Sequence, residues 1–261
     1  MSLYHYPKLY SALLSPEADM LRDIFVWIGR HLDAPLRSIM DPACGSGTWL
    51  VPFAIKGYFV GGNDIEKRMI EEAERQLLVF PHELTLGDMR ELSFSRTFDV
   101  AINLDSSIGH LKNDEEIKEH LSSVQKSLRV GGLYFLGLFV LDGEERDDEC
   151  ELLYESETVT MSEGGHAKVT YKSLFRDPIA RRERIHLEVV TSGMTGYPEF
   201  LQEEYDLFSF PMMRLLKVLE EVGDWEIVAV HSMEIIGNPL MTLEKNCGDI
   251  MLILRKLGHK E

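Results

Sequence analysis

The sequence predicts an α/β fold: a doubly wound, mostly parallel sheet of seven strands, interrupted by an inserted antiparallel β subdomain. Two observations carry this. Between Leu36 and Phe139, short apolar runs alternate with amphipathic or charged helical segments, as parallel strands joined by crossover helices require. After Val140 the texture changes to strand-type alternation, and helical spacing returns only near Phe210. At 261 residues, with 44% hydrophobic and 27% charged positions, the chain is long enough for one large core plus a subdomain. The expected division is a core of residues 1–143 and 206–261 around an insert of 144–205.

In chain order, "LRSIM", "YFVGGND", "ELTLGDM", "FDVAINL" and "LYFLGLF" read as buried strands. "EKRMIEEAERQLLVF" is the clearest helix, with Met69, Ile70, Ala73, Leu77 and Leu78 on one face. "NDEEIKEHLSSVQKSLRVGG" is a second, opened by Asn113 or Asp114 as cap and closed by Gly131 and Gly132. "LDGEERDDEC" reads as a solvated acidic connection or a helix start. Then "ETVTMSEGGHAKVTYKSLFRD" forms a hairpin turning at Gly164 and Gly165, and "RRERIHLEVVTS" a further strand. "FPMMRLLKVLEEVGDW" is helical, and "WEIVAVHSM" and "DIMLILRKL" are the last two strands.

A net charge of −17 repels phosphate backbones, which excludes nucleic acid as an expected partner. Three widely spaced cysteines, Cys44, Cys150 and Cys247, give no disulfide framework, and "MSLYHYPKLY" has no signal-peptide character. No apolar run approaches bilayer length, so the expectation is a cytoplasmic protein without a membrane partner. The nine histidines and three cysteines show no close ligand spacing, and no metal is expected.

The most informative stretch is "DPACGSG". A strand that ends there must turn at once, and Gly45 and Gly47 let a ligand lie against main-chain amides. The missing third glycine disfavours a pyrophosphate cradle, while Asp64, ending the next strand, suits both hydroxyls of a ribose. A nucleoside-type ligand without a required pyrophosphate fits best.

These strand ends together resemble class I S-adenosylmethionine-dependent methyltransferases, with their Rossmann-like core, from about Tyr10 to the C-terminus. "DPACGSGT" is similar to the family's first motif beneath the methionine portion, "GGNDIEKRM" to the second, with Asp64 on the ribose. "LGDMREL" resembles the third, where Asp88 accepts from the adenine amine and Met89 packs on the ring; "FDVAINLDSSIGHL" and "SLRVGGLYFLG" resemble the fourth and fifth. The resemblance implies cofactor contacts from Asp41, Ala43, Cys44, Gly45, Gly47, Asp64, Ile65, Asp88, Met89 and Leu104. The fourth motif and the strand-rich insert resemble small-molecule N-methyltransferases of the amino-sugar or glycine type, which implies a small-molecule acceptor beneath a lid. Methylation of oxygen or of a protein, and non-catalytic cofactor binding, stay as alternatives. Adenine-specific DNA methyltransferases share "DPACGSG", but "NLDSS" here lacks their proline and aromatic residues. A homodimer stays open.

Methyl transfer needs alignment, and an amine nucleophile must also lose a proton. Candidates are Tyr10, which matches a cofactor-covering tyrosine of amino-sugar enzymes or is a packed helix residue; Asp105 with Ser106 and Ser107, which orient an acceptor or cap a turn; and His110, a general base or a loop-orienting residue. Cys44 is expected to pack rather than act as a nucleophile. Arg182 and Arg184 would share one strand face, there to meet an anionic group or to balance the acidic surroundings. Tyr154, Tyr171 and Phe175 read as insert core or acceptor-pocket wall.

Overall fold

The unbroken apolar runs become the centre of a seven-stranded sheet. The computed structural model describes residues 2–233 and 248–258, so Cys247 lies outside the described residues. Its strands are β1 Ser38–Asp41, β2 Phe59–Asp64, β3 His82–Leu86, β4 Phe98–Asn103 and β5 Leu128–Val140. Five further strands build a second sheet: β6 Glu151–Glu155, β7 Val159–Thr160, β8 His166–Asp177, β9 Arg182–Ser192 and β10 Phe200–Phe208. The chain then returns to the first sheet with β11 Trp225–Ser232 and β12 Gly248–Lys256. The large sheet has the order β11-β12-β5-β4-β1-β2-β3. Its first five strands in sequence pair in parallel, and β12 runs antiparallel to both β5 and β11. Strand order therefore reverses between β1 and β4, and ligands of such sheets bind outside the carboxyl ends at that switch point.

The helices are α1 Pro7–Leu13, α2 Ala18–His31, α3 Val51–Ile55, α4 Lys67–Leu77, α5 Asp114–Ser127 and α6 Met212–Val222. One apolar cluster joins Ile117, Leu121 and Val124 of α5 and Leu215 and Val218 of α6 to the sheet. Another, with Ile24, Trp27 and Ile28 of α2 and Phe53 of α3, includes Ile39, Val60 and Val100 from the strands. Each fully buried Leu or Ile in these clusters contributes about 1.5–3 kcal/mol. A third core seats Leu3, Leu9 and Leu13 of the N-terminal segment on Val169, Leu187 and Leu201 of the small sheet.

Two readings are corrected and one alternative is settled. α5 ends at Ser127, and Gly131 and Gly132 lie inside β5, so they do not close the helix. Gly131 has φ +75°, and the β4–β5 register shifts between Phe98 and Val100, so the glycines belong to a strand irregularity. Of the two readings of the acidic stretch before β6, the structure shows the exposed connection, pinned by the bridge from Asp147 to Arg176. Finally, β10 runs to Phe208, so the boundary expected between 205 and 206 falls inside a strand. Among the described residues no helix is long and apolar enough to cross a membrane.

Candidate active site

The loop after β1 is folded by its own main chain. Gly45 and Gly47 have φ of +54° and +85°, which side chains rarely adopt. A Cβ on Gly45 would stand 3.4 Å from the Tyr10 ring, and one on Gly47 would stand 3.3 Å from Ala73 of α4. Gly45 thus opens the loop toward Tyr10, whereas Gly47 brings the loop against a helix. Asp41 caps the turn by accepting from Ala43 N at 2.9 Å, and burial holds its carboxyl pKa well above the usual range. Cys44 is buried: its sulfur would lie 2.8 Å from a Cβ on Gly62, and burial raises its thiol pKa. Its side chain is core beneath the loop.

Asp64 ends β2 with both oxygens in use, Oδ2 accepting from Gly45 N and Oδ1 from Glu66 N, each at 2.8 Å. Burial nevertheless raises its pKa. Ile65, the next residue, is 74% exposed, an apolar surface beside the loop. After β3, Asp88 is held by Arg90 through both oxygens, at 3.0 and 2.7 Å, and this partner keeps its pKa low. The Met89 side chain packs against the α5–α6 core, and its carbonyl accepts from His120 Nδ1 at 3.1 Å. Leu104 is buried after β4, its carbonyl so close to Gly137 that a Cβ there would clash at 2.3 Å.

The three catalytic candidates lie along one hollow. Asp105 accepts from Trp49 Nε1 at 2.8 Å, so its carboxylate does not cap the following turn. Ser106 takes φ +51° to start the 3-10 turn Ser107–His110, also without a side-chain cap bond. The Tyr4 hydroxyl lies 3.5 Å from His110 Nε2. Ring centroids step from Tyr205 to His110 at 5.6 Å, from His110 to Tyr4 at 6.4 Å, and from Tyr4 to Tyr10 at 5.8 Å. Tyr4, Asp105 and His110 are all solvent-exposed. Even so, desolvation is the largest cause of the raised Tyr4 and Asp105 pKa values and of the lowered His110 pKa. Each of these side chains is thus exposed to solvent yet closely surrounded by other groups. The charges of Asp105, Asp64 and Asp41 all act on the Tyr10 hydroxyl, whose pKa burial raises first.

Several contributors escaped the sequence reading. Tyr4, Glu203 and Tyr205 reach the hollow from the N-terminal turn and the insert, segments joined only by tertiary packing, and there they meet Tyr171, which was read as insert core or pocket wall. Asn63, buried within "GGND", donates to the Pro42 and Gly87 carbonyls at 3.0 Å each and accepts from Thr85 Oγ1 at 2.9 Å. It ties together the loops that end β1 and β3. Its period-2 neighbours read as ordinary strand, which hid it. Ser11 Oγ donates to Ser46 Oγ at 2.7 Å and, with Gln76 Nε2 donating to the Ser46 carbonyl at 3.0 Å, seats α1 on the glycine loop.

Arg182 and Arg184 do share a face, but it is the face opposite the buried Glu183, Ile185 and Leu187, and both pair with Asp206 of β10. Tyr154 is 43% exposed, and Phe175 receives the Arg146 guanidinium at 4.0 Å from its ring centre, so neither lines the hollow.

The fit to an adenosyl ligand rests on this chemistry: a loop opened by Gly45, a carboxylate at the end of β2 and another after β3, all at the switch point. The comparisons agree with that geometry. Residues 39–132 match the family model described as a methyltransferase domain. The chain is 32% identical over 128 residues to a dTDP-3-amino-3,4,6-trideoxy-alpha-D-glucopyranose N,N-dimethyltransferase of Streptomyces venezuelae, covering 48% of this chain and 49% of that one. It is 29% identical over 128 residues to a cypemycin N-terminal methyltransferase of a Streptomyces species, covering 49% and 51%. The chain thus spans about half the length of the curated relatives it matches. Among solved structures, an S-adenosylmethionine-dependent methyltransferase from Clostridium acetobutylicum superposes with TM-score 0.70 at 16% identity, over 98% of this chain and 97% of that one. An S-adenosylmethionine-bound amino pentose methyltransferase from Micromonospora echinaspora gives 0.69 at 17% identity, over 98% of both. Residues 39–132 match a methyltransferase domain, and the chain shares the fold of these solved S-adenosylmethionine-dependent methyltransferases.

Proposed function

We propose that the protein is an enzyme that transfers a methyl group from S-adenosylmethionine to the nitrogen of a small amine. The observation that carries this is the line of rings from the insert to the glycine loop, with His110 in it and Asp105 beside it. The two relatives' printed names describe methylation at nitrogen, of a sugar amine in one and of a peptide N-terminus in the other.

When bound, S-adenosylmethionine supplies an electrophilic methyl on a sulfonium sulfur. Asp64 would take the ribose hydroxyls, Asp88 and Met89 the adenine, and the amides around Gly45 the methionine portion, while Tyr10 covers the loop. Ile65 offers an apolar edge beside the ribose. Asp105, fixed by Trp49, orients the acceptor at the end of β4. Burial lowers the His110 pKa, so the imidazole is neutral near pH 7 and takes the proton that the amine must lose before it attacks. The small sheet and the N-terminal segment flank that step.

The test is turnover of the full chain with methyl-labelled S-adenosylmethionine and a panel of small amines, alcohols and peptides. Label on amines alone is the expected result. Label on alcohols or protein, or cofactor binding with no acceptor in any class, overturns the reading.

A further inference from the structure

We propose that the acceptor is a phosphate-free amine that enters as its cation, with Glu203 and the ring of Tyr205 as its recognition site. This rests on the N-methyltransferase reading and narrows its substrate class.

Strand alternation decides which groups of the insert face the hollow. In β10, Glu203 and Tyr205 share a face with the buried Leu201, and their register partners in β9 are the buried Leu187 and Ile185. Beyond Leu187 in β8 stands Tyr171. The inner face therefore presents Glu203 between the Tyr205 and Tyr171 positions, while the second inner carboxylate, Glu183, is paired with Arg176. From Tyr205 the rings of His110, Tyr4 and Tyr10 continue toward the glycine loop. Such faces attract an ammonium, and more strongly where water is reduced. Both bonds that Glu203 accepts, from Leu3 N and Ser2 Oγ at 3.2 Å, fall on Oε1. Its charge acts on Tyr4, Tyr205 and His110, so a carboxylate field pervades the hollow.

A phosphate finds the opposite arrangement. Arg182 and Arg184 lie on the outer face and are neutralised by Asp206, with Glu204 3.7 Å from Arg184. Arg181 stands 2.7 Å from Asp114, and Arg176 bridges Glu183 and Glu151. Lys168 and Lys172 alternate with Val169 and Tyr171, which places them on the outer face too. The N-terminus of α5 carries Asp114, Glu115 and Glu116 in its first turn, which repels an anion there. A nucleoside diphosphate on the acceptor would add negative charge to a field already made by carboxylates, with these insert arginines committed elsewhere.

The full chain, saturated with S-adenosylhomocysteine, is titrated calorimetrically with tetramethylammonium and with inorganic pyrophosphate. The cation is expected to bind, Glu203→Gln to weaken it at least about fivefold, and pyrophosphate to show no heat of binding. Affinity for S-adenosylhomocysteine should be unchanged in Glu203→Gln. Pyrophosphate binding, absence of cation binding, or an unchanged cation affinity in Glu203→Gln overturns the proposal. In parallel, an amino sugar as its methyl glycoside should be methylated in preference to the same sugar linked to a nucleoside diphosphate, and the reverse preference also overturns it. Cation binding that depends on Glu203, with no amine methylated, would leave this site standing and remove the reaction proposed above.

Discussion

The side-chain amide of Asn63 donates to the carbonyl of Pro42 at 3.0 Å and, from the same nitrogen, to that of Gly87 at 3.0 Å. One buried residue in β2 thereby ties the glycine loop after β1 to the loop after β3, the two segments proposed above to hold the cofactor. Its Oδ1 is satisfied by Thr85. Removing it takes a partner from one buried and two part-buried polar groups, at up to about 1–3 kcal/mol for a buried one left unrelieved. Asn63→Ala is therefore expected to lower stability by about 2–4 kcal/mol and cofactor affinity at least about tenfold. Denaturant melts and calorimetry check both. A variant that loses stability but binds S-adenosylmethionine normally would show that Asn63 supports the sheet without setting the loops.

Cys44 lies in the cofactor loop by sequence and in the core by contact. Its sulfur packs over Gly62 and within the cluster that holds Leu50 and Phe53. Cys44→Ala is expected to cost about 1–2 kcal/mol through the lost packing, with kcat changed less than about threefold. Loss of turnover at preserved stability would give the thiol a chemical role that its burial denies. The complementary change, Gly62→Ala, forces a Cβ within 2.7 Å of Leu84 and 2.8 Å of the Cys44 sulfur. It should destabilise by about 1–3 kcal/mol.

His120 couples acid stability to the loop after β3. Nδ1 lies 3.1 Å from the Met89 carbonyl and Nε2 lies 2.7 Å from the Tyr134 hydroxyl. The neutral ring that donates to Met89 and accepts from Tyr134 satisfies both. Burial lowers its pKa to about 4. The unfolded chain, with an ordinary value of about 6.5, binds more protons between those two pH values, so stability falls as pH drops through that window. The effect is on the order of 3 kcal/mol at its fullest and is complete below about pH 4. His120→Gln should flatten the difference between melts at pH 7 and pH 5, and an unchanged slope would assign the acid sensitivity elsewhere.

How far the site was legible depended on whether its parts are contiguous in sequence. The "DPACGSG" loop, Asp64 and Asp88 announce themselves because each sits where an apolar run ends, and the parallel order brings those ends to one edge. Tyr4, Glu203 and Tyr205 carry no such mark. They reach the hollow because the N-terminal leucines pack on β8, β9 and β10, a contact that no local pattern encodes. β10 itself was hidden: "FLQEEYDLF" alternates weakly, since the inner face that it offers is half polar. α5 was over-extended because Gly131 and Gly132 look like a helix stop, whereas the strand begins before them.

Trp49 and Asp105 provide the sharpest separation of positioning from packing. The indole nitrogen donates to Asp105 Oδ2 at 2.8 Å, across from the end of β1 to the end of β4. That bond favours the ionised carboxyl against the burial that raises its pKa. Trp49→Phe keeps most of the ring's apolar contact and deletes the donor, so the Asp105 pKa should rise further and its rotamer loosen. The expected outcome is a kcat loss of about tenfold or more, with the acid limb of the pH–rate profile moved to higher pH and cofactor affinity nearly intact. Asp105→Asn should lose comparable activity and also lose the contribution of Asp105 to that limb, because it has no charge to titrate. Equal pH profiles in Trp49→Phe and the parent chain would mean that Asp105 holds the loop and does not orient the acceptor.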